Sequence, residues 1–238
     1  GKIDLVIGGP PCQGFSHAGK RKENDPRNQL YKSYISFINI VKPKILIIEN
    51  VSGIASKFSK DGESYKDEIL DKLKSKYYVD GRLISSEHFG VPQKRKRFIL
   101  IANRTGNIIP WPKPKYYEKP EDWEKPYRSV GEVLLGLETI KSQSKYFNHT
   151  PMNHSPDVVE RFSYIKEGCK IIPEDLPEHL KHSRTGKEIQ SFSKVFFRLN
   201  RNNPSHTLVP GHSAFPIHPW LNRQLTVREA ARIQTFPD

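Results

Sequence analysis

Near its start the chain runs Ile3-Asp4-Leu5-Val6-Ile7 into Gly8-Gly9-Pro10-Pro11 and then a cysteine, Cys12. A short apolar run that meets two glycines and two prolines is a buried strand with a stiff, sharply turned end. Such an end holds whatever follows it in one place. A solitary cysteine is usually a small apolar residue closing a strand. Here Gly-Gly-Pro-Pro stiffens one side of Cys12 and Gln13-Gly14-Phe15-Ser16 leaves the other mobile, which favours a held nucleophile.

The following residues keep the alternation of strand and helix. Leu30, Tyr31, Tyr34, Ile35, Ile38 and Val41 recur at helical spacing until Pro43 stops them. Residues 44–48 read as a second buried strand that ends at Glu49. Ile69, Leu70 and Leu73 mark a second helix, and residues 79–85 and 97–102 read as strands. This order predicts an α/β fold with parallel strands and right-handed crossovers. Functional groups then gather at the carboxyl ends of strands, where both Cys12 and Glu49 fall.

From about Thr105 prolines, aromatics and lysines mix and the alternation is lost. The expected divisions are 1–104, 105–197 and 198–238. Short helices are expected at residues 130–137 and 156–165. Thr226-Val227-Arg228-Glu229 is a capping-box pattern opening a helix through Gln234.

The formal charge of +13 and pI of about 9.6 suit a polyanionic partner. No apolar run is long enough to span a bilayer. Two cysteines, Cys12 and Cys169, fit a reducing cytosol rather than a disulfide scaffold. His149, His154, His179, His182 and Cys169 match no standard zinc spacing, so no metal is expected and these histidines read as solvated.

Glu49 closes an apolar strand, where desolvation would favour its protonated form and suit an acid; the alternative is a cap on the turn before Ser52-Gly53. Gln93-Lys94-Arg95-Lys96-Arg97 is either a solvated run or the start of the strand after it. On a strand, Arg95 and Arg97 share one side, aimed at a phosphate or a carbonyl oxygen. Lys20, Arg21, Lys22 and Arg27 lie in a glycine-bearing loop that could close over a polyanion.

In order and spacing, Gly-Pro-Pro-Cys-Gln-Gly-Phe-Ser, Glu-Asn-Val and Phe-Gly-Val-Pro-Gln-Lys-Arg-Lys-Arg resemble the DNA (cytosine-5)-methyltransferase family. The resemblance implies a partial Rossmann-like, S-adenosylmethionine-dependent sheet with a smaller irregular target-recognition lobe. It implies that Cys12 attacks C6 of a flipped cytosine, that Glu49 holds N3, and that Arg97 meets the O2 side with support from Arg95. Pro11 and Leu30 would touch S-adenosylmethionine. The Pro10 carbonyl would meet the exocyclic amine, while Gln13 and Ser16 would hold double-stranded DNA; from the basic character of their segment, Lys20 and Arg21 are expected to bind DNA as well. Residues 105–197 would read the target, with Arg184, Lys187, Gln190 and Arg198 as candidate contacts. Residues 198–238 would brace that lobe, with Arg228 and Glu229 structural.

The family's glycine-rich cofactor segment would precede residue 1, and a further segment would follow Asp238. The chain is therefore expected to be a trimmed piece or one subunit of a split enzyme, inactive alone. Its beginning in a strand and stop after a helix favour trimming. The expected setting is the cytoplasm of a prokaryote, at the nucleoid. Two other readings are a tRNA methyltransferase of the same family and a non-catalytic DNA-recognition subunit. The recognition lobe argues for DNA, and the full catalytic set argues for chemistry.

Overall fold

The computed structural model describes residues 3–10, 30–56, 64–137, 148–182, 196–209, 211 and 214–238. The chain divides into two units: Gly1–Ser85 with Lys96–Lys113, and Ser86–Arg95 with Pro114–Asp238.

The first unit holds β1 (Leu5–Gly8), α1 (Leu30–Val41), β2 (Ile45–Val51), α2 (Tyr65–Lys74) and β3 (Tyr78–Ser85). Its long last strand, Lys96–Asn103, is β5, because the two-residue β4 (Gln93–Lys94) precedes it in the other unit. The sheet order is β1-β2-β5-β3. Strand alternation sorts the side chains. Leu46, Ile48, Phe98, Leu100 and Ala102 point to one face and are buried there against Tyr31, Ile35 and Ile38 of α1 and Tyr65, Ile69 and Leu73 of α2. Each helix supplies a residue every three or four positions, which is why each presents one apolar stripe. Ser64 caps α2 by accepting from the Asp67 amide at 3.1 Å. Lys42, at φ 50°, turns the chain out of α1 just before Pro43.

The all-parallel expectation is corrected. β1 and β2 are parallel, but β5 runs antiparallel to both β2 and β3. Only ten residues separate β3 from β5, with a single 3-10 turn at Ser86–Phe89. A parallel return needs a crossover of about a dozen residues or more, so the chain comes back reversed.

The second unit contains β4, β6 (Tyr116–Tyr117), β7 (Lys125–Pro126), α3 (Val130–Leu134), α4 (Pro156–Ser163), β8 (Ser205–His206) and α5 (Val227–Ile233). β4 pairs with β8 and β6 with β7. One small core joins Val130, Leu134, Leu199, Leu225, Ala230 and Ile233; another joins Phe162, Ile165, Leu180 and Ile217.

Buried polar groups tie this unit together. The Arg198 guanidinium donates to the main-chain carbonyls of Phe162, Ile165, His218, Pro219 and Leu221 and to Asn222 Oδ1. Arg198 is only 5% exposed, so it is no base contact; its donors are consumed by the fold. Arg184, Lys187 and Gln190 lie outside the described residues.

Thr226 and Glu229 form the capping box of α5, with Glu229 Oε2 accepting from the Thr226 amide at 2.8 Å. Arg223 grips the same carboxylate at 2.6 and 2.7 Å. His218 stands 3.5 Å from it, and burial pushes the His218 imidazole down to about 4. Despite its own burial, Glu229 is held below the usual carboxylate range by Arg223.

The expectation of solvated histidines fails for His149. Its ring is buried between the Thr226 hydroxyl at 2.8 Å and the Leu137 carbonyl at 2.9 Å.

Candidate active site

The site grows out of the β1–β2 register. Gly8 pairs with Ile48, so the next steps bring Gly9 to Glu49 and Pro10 to Asn50. At Gly8 there is no room for a side chain: a Cβ would stand 2.7 Å from two ring carbons of Tyr34. A Cβ at Gly9 would lie 3.5 Å from Glu49 Oε2, so that oxygen sits over the Gly9 backbone. Gly8 thus lets an aromatic ring approach the strand end that leads to Cys12, and the Glu49 carboxylate lies in ordinary contact range of Gly9.

Glu49 lies inside β2, not after it. Val51 faces Arg97 directly across the antiparallel pair, and Glu49 faces Ile99. Glu49 and Arg97 are therefore diagonal neighbours on one face of the sheet, within reach of long side chains. Arg97 Nε stands 3.0 Å from Glu49 Oε1, and its Nη1 donates to the Lys96 carbonyl at 2.9 Å. The cap reading of Glu49 is set aside by this pairing.

The desolvation expected for Glu49 is also corrected, since its side chain is 48% exposed. The cause is alternation. Leu46, Ile48 and Asn50 point toward the helices, and Glu49 points to the other face with Ile45 and Ile47.

Asn50 is a buried polar residue of the site that the sequence reading did not single out. It is 2% exposed, and its Nδ2 donates to the Pro10 carbonyl at 3.2 Å. Its Oδ1 accepts from the Val51 amide at 2.8 Å. The signal was available: a polar side chain on the inward beat of an apolar strand needs a partner.

The remaining expected residues divide. Leu30 opens α1 and is exposed; Tyr34, one turn on, is the ring against Gly8. Arg95 does not share a strand with Arg97. It lies in the second unit between β4 and β5, where its amide donates to Ser86 Oγ at 3.2 Å and its carbonyl accepts from the Ser86 amide. Pro11, Cys12, Gln13, Ser16, Lys20 and Arg21 lie outside the described residues. Among the described residues no cluster of His, Cys, Asp or Glu could hold a metal ion, and no helix is long and apolar enough to cross a membrane.

The model of the C-5 cytosine-specific DNA methylase family matches residues 1–238. The chain belongs to the C-5 cytosine-specific DNA methylases. It is 34% identical to the Type II methyltransferase M1.HphI of Haemophilus parahaemolyticus over 243 residues, covering 100% of this chain and 60% of that protein. It is 31% identical to the Type II methyltransferase M.DdeI of Desulfomicrobium norvegicum, covering 99% of this chain and 63% of the relative. The chain thus spans about three fifths of the length of these curated relatives. In fold it is similar to a crystal structure of a prophage-encoded E. coli protein proposed to be a DNA modification methyltransferase. That likeness has a TM-score of 0.65 at 24% identity and covers 99% of this chain and 69% of the other.

For a methylase of this family the implied methyl donor is S-adenosylmethionine. Two of the described residues have the chemistry to hold it. Gly9 presents exposed backbone at the carboxyl end of the parallel β1–β2 pair, and Leu30 presents an exposed apolar side chain. Ligands of open α/β sheets bind at such strand ends.

Proposed function

We propose that this chain is the base-handling part of an enzyme that methylates C5 of cytosine at a specific site in double-stranded DNA. The observation that carries the reading is the Glu49–Arg97 pair seated beside the Gly9-Pro10 backbone, on the strand that runs into Cys12.

The target base leaves the duplex, because C6 is shielded inside the stack. The Cys12 thiolate adds to C6, and the displaced electron pair moves toward N3. Arg97 holds Glu49 Oε1, which leaves Oε2, over Gly9, to hold N3 through a shared proton. The ring is now an enamine, nucleophilic at C5. S-adenosylmethionine, when bound, supplies the methyl group that C5 takes. A base removes the C5 proton, the C5–C6 double bond reforms and the thiolate leaves.

The second unit would carry the target-recognition lobe, with residues 198–238 bracing it around Arg198. Leu5, Ile7 and Ile45 leave an apolar stretch exposed on the Glu49 face of the sheet. Contiguous exposed apolar stretches of this kind mark interaction surfaces. We therefore assign that face, and the rest of the S-adenosylmethionine pocket, to further polypeptide: flanking segments or a complementing subunit. The setting would be the prokaryotic cytoplasm, at the nucleoid.

The test uses the full-length protein. Bisulfite sequencing of DNA from cells expressing it should show methylcytosine within one recurring sequence. Duplex DNA with 5-fluorocytosine at that position should trap an adduct on the Cys12 peptide. Unmethylated DNA and no adduct would reject the reading.

A further inference from the structure

We propose that the outer edge of β3 pairs with the same edge of a second copy of this chain, antiparallel and centred on Gly81. This is independent of the cytosine reading.

β3 (Tyr78–Ser85) ends the sheet order β1-β2-β5-β3, so one side of it is bonded to β5 and the other is open. Among the described residues no main-chain hydrogen bond reaches β3 from the open side. Such an edge offers a row of donors and acceptors to another strand, and charged side chains commonly guard it. Here the charges are Asp80 and Arg82, and their spacing makes the edge complementary to itself. With Gly81 facing Gly81, Asp80 of each copy faces Arg82 of the other. Val79 then faces Leu83, and Tyr78 faces Ile84. Centring on Asp80 or on Arg82 instead would set like charges opposite each other, which destabilises a strand pair. Tyr78 and Leu83 are 45% and 48% exposed, and the Gly81 register gives each an apolar partner across the strands.

The charged pair is already held in place within the first unit. Arg82 Nε and Nη2 donate to Asp80 Oδ2 at 3.0 and 2.8 Å. Trp111 Nε1 donates to the same oxygen at 2.7 Å, and the Arg82 guanidinium lies 4.9 Å from the centre of the Trp111 ring. Among the described residues Asp80 Oδ1 accepts no hydrogen bond and Arg82 Nη1 donates none, so each keeps a group for the second copy. Side chains fixed beforehand lose less freedom when the copies meet. The pairing would join the two four-stranded sheets into one continuous sheet.

The test is sedimentation equilibrium of the full-length protein, with folding followed by circular dichroism. Between about 5 and 200 µM the weight-average mass should climb toward twice the monomer value, as suits a contact of modest area. Asp80→Lys and Arg82→Glu should each stay monomeric, because each sets like charges across the two-fold axis. Mixed in equal amounts, the two variants should associate, since one brings both cations and the other both anions. A role confined to the single strand gives no rescue by mixing. The pairing is overturned by a wild-type mass that stays at the monomer value, by single variants that associate as wild type does, or by a mixture that does not associate. If either variant does not fold, hydrogen exchange in the wild-type protein decides. The amides of β3 should gain protection as concentration rises, and unchanged protection overturns the pairing.

Discussion

Glu49 and Arg97 meet although neither is the other's direct strand partner: Nε and Oε1 stand 3.0 Å apart across a one-step diagonal of β2 and β5. A pair this open to solvent adds about 1 kcal/mol or less to stability. Its value is orientation. Glu49→Gln in the full-length protein should therefore lower methyl transfer by about 10²–10⁴, the usual range for an acid–base group. The unfolding midpoint should hardly move. Comparable losses of activity and stability would mean the pair serves the fold instead.

Arg97→Lys should also lose activity. Lysine keeps the charge but cannot hold the carboxylate through Nε while donating to the Lys96 carbonyl through Nη1. A decline of about tenfold or more in turnover, with DNA affinity nearly kept, is the expected outcome of steady-state kinetics.

Gly8→Ala should destabilise the protein by about 1–3 kcal/mol, because the new methyl group runs into the Tyr34 ring. Tyr34→Ala in the same chain should recover part of that loss. Additive effects in a double-mutant cycle would show that the ring does not press on Gly8.

Stability should decline in mild acid. The folded His218 imidazole takes its proton only near pH 4, while in the unfolded chain it does so near 6.5. Between those values the unfolded state binds more protons, so acidification favours it. The loss from His218 should begin near pH 6.5 and finish near pH 4, at a cost of roughly 3 kcal/mol. Glu229, held low by Arg223, adds a further loss in the same direction at lower pH still. Urea midpoints measured from pH 7.5 to 4, for wild type and His218→Gln, test this. The variant should have a flatter profile above pH 5.

Much of the first unit was legible because local signals agreed with the tertiary answer. Apolar runs at 45–48 and 97–102 became strands, although the first is buried on one face only, with Ile45 exposed on the other; the spacing of Tyr31, Ile35 and Ile38 became a helix stripe. What misled was the assumption that every connection is a crossover. The polar ends of strands were also hard to place. Glu49 read as lying beyond its strand, whereas β2 continues to Val51 and throws the side chain to the open face. In the second unit, Arg198 looked like a surface cation. Nothing local announces a guanidinium whose partners come from positions 162, 165 and 218–222. The Thr226–Glu229 cap was legible because both halves lie within one helical turn.

Arg198 spends its donors almost entirely on peptide oxygens, which every amino acid carries alike. Neighbouring side chains can therefore change identity without costing the guanidinium those partners. A hub built this way leaves the surrounding surface free to vary on an unchanged frame.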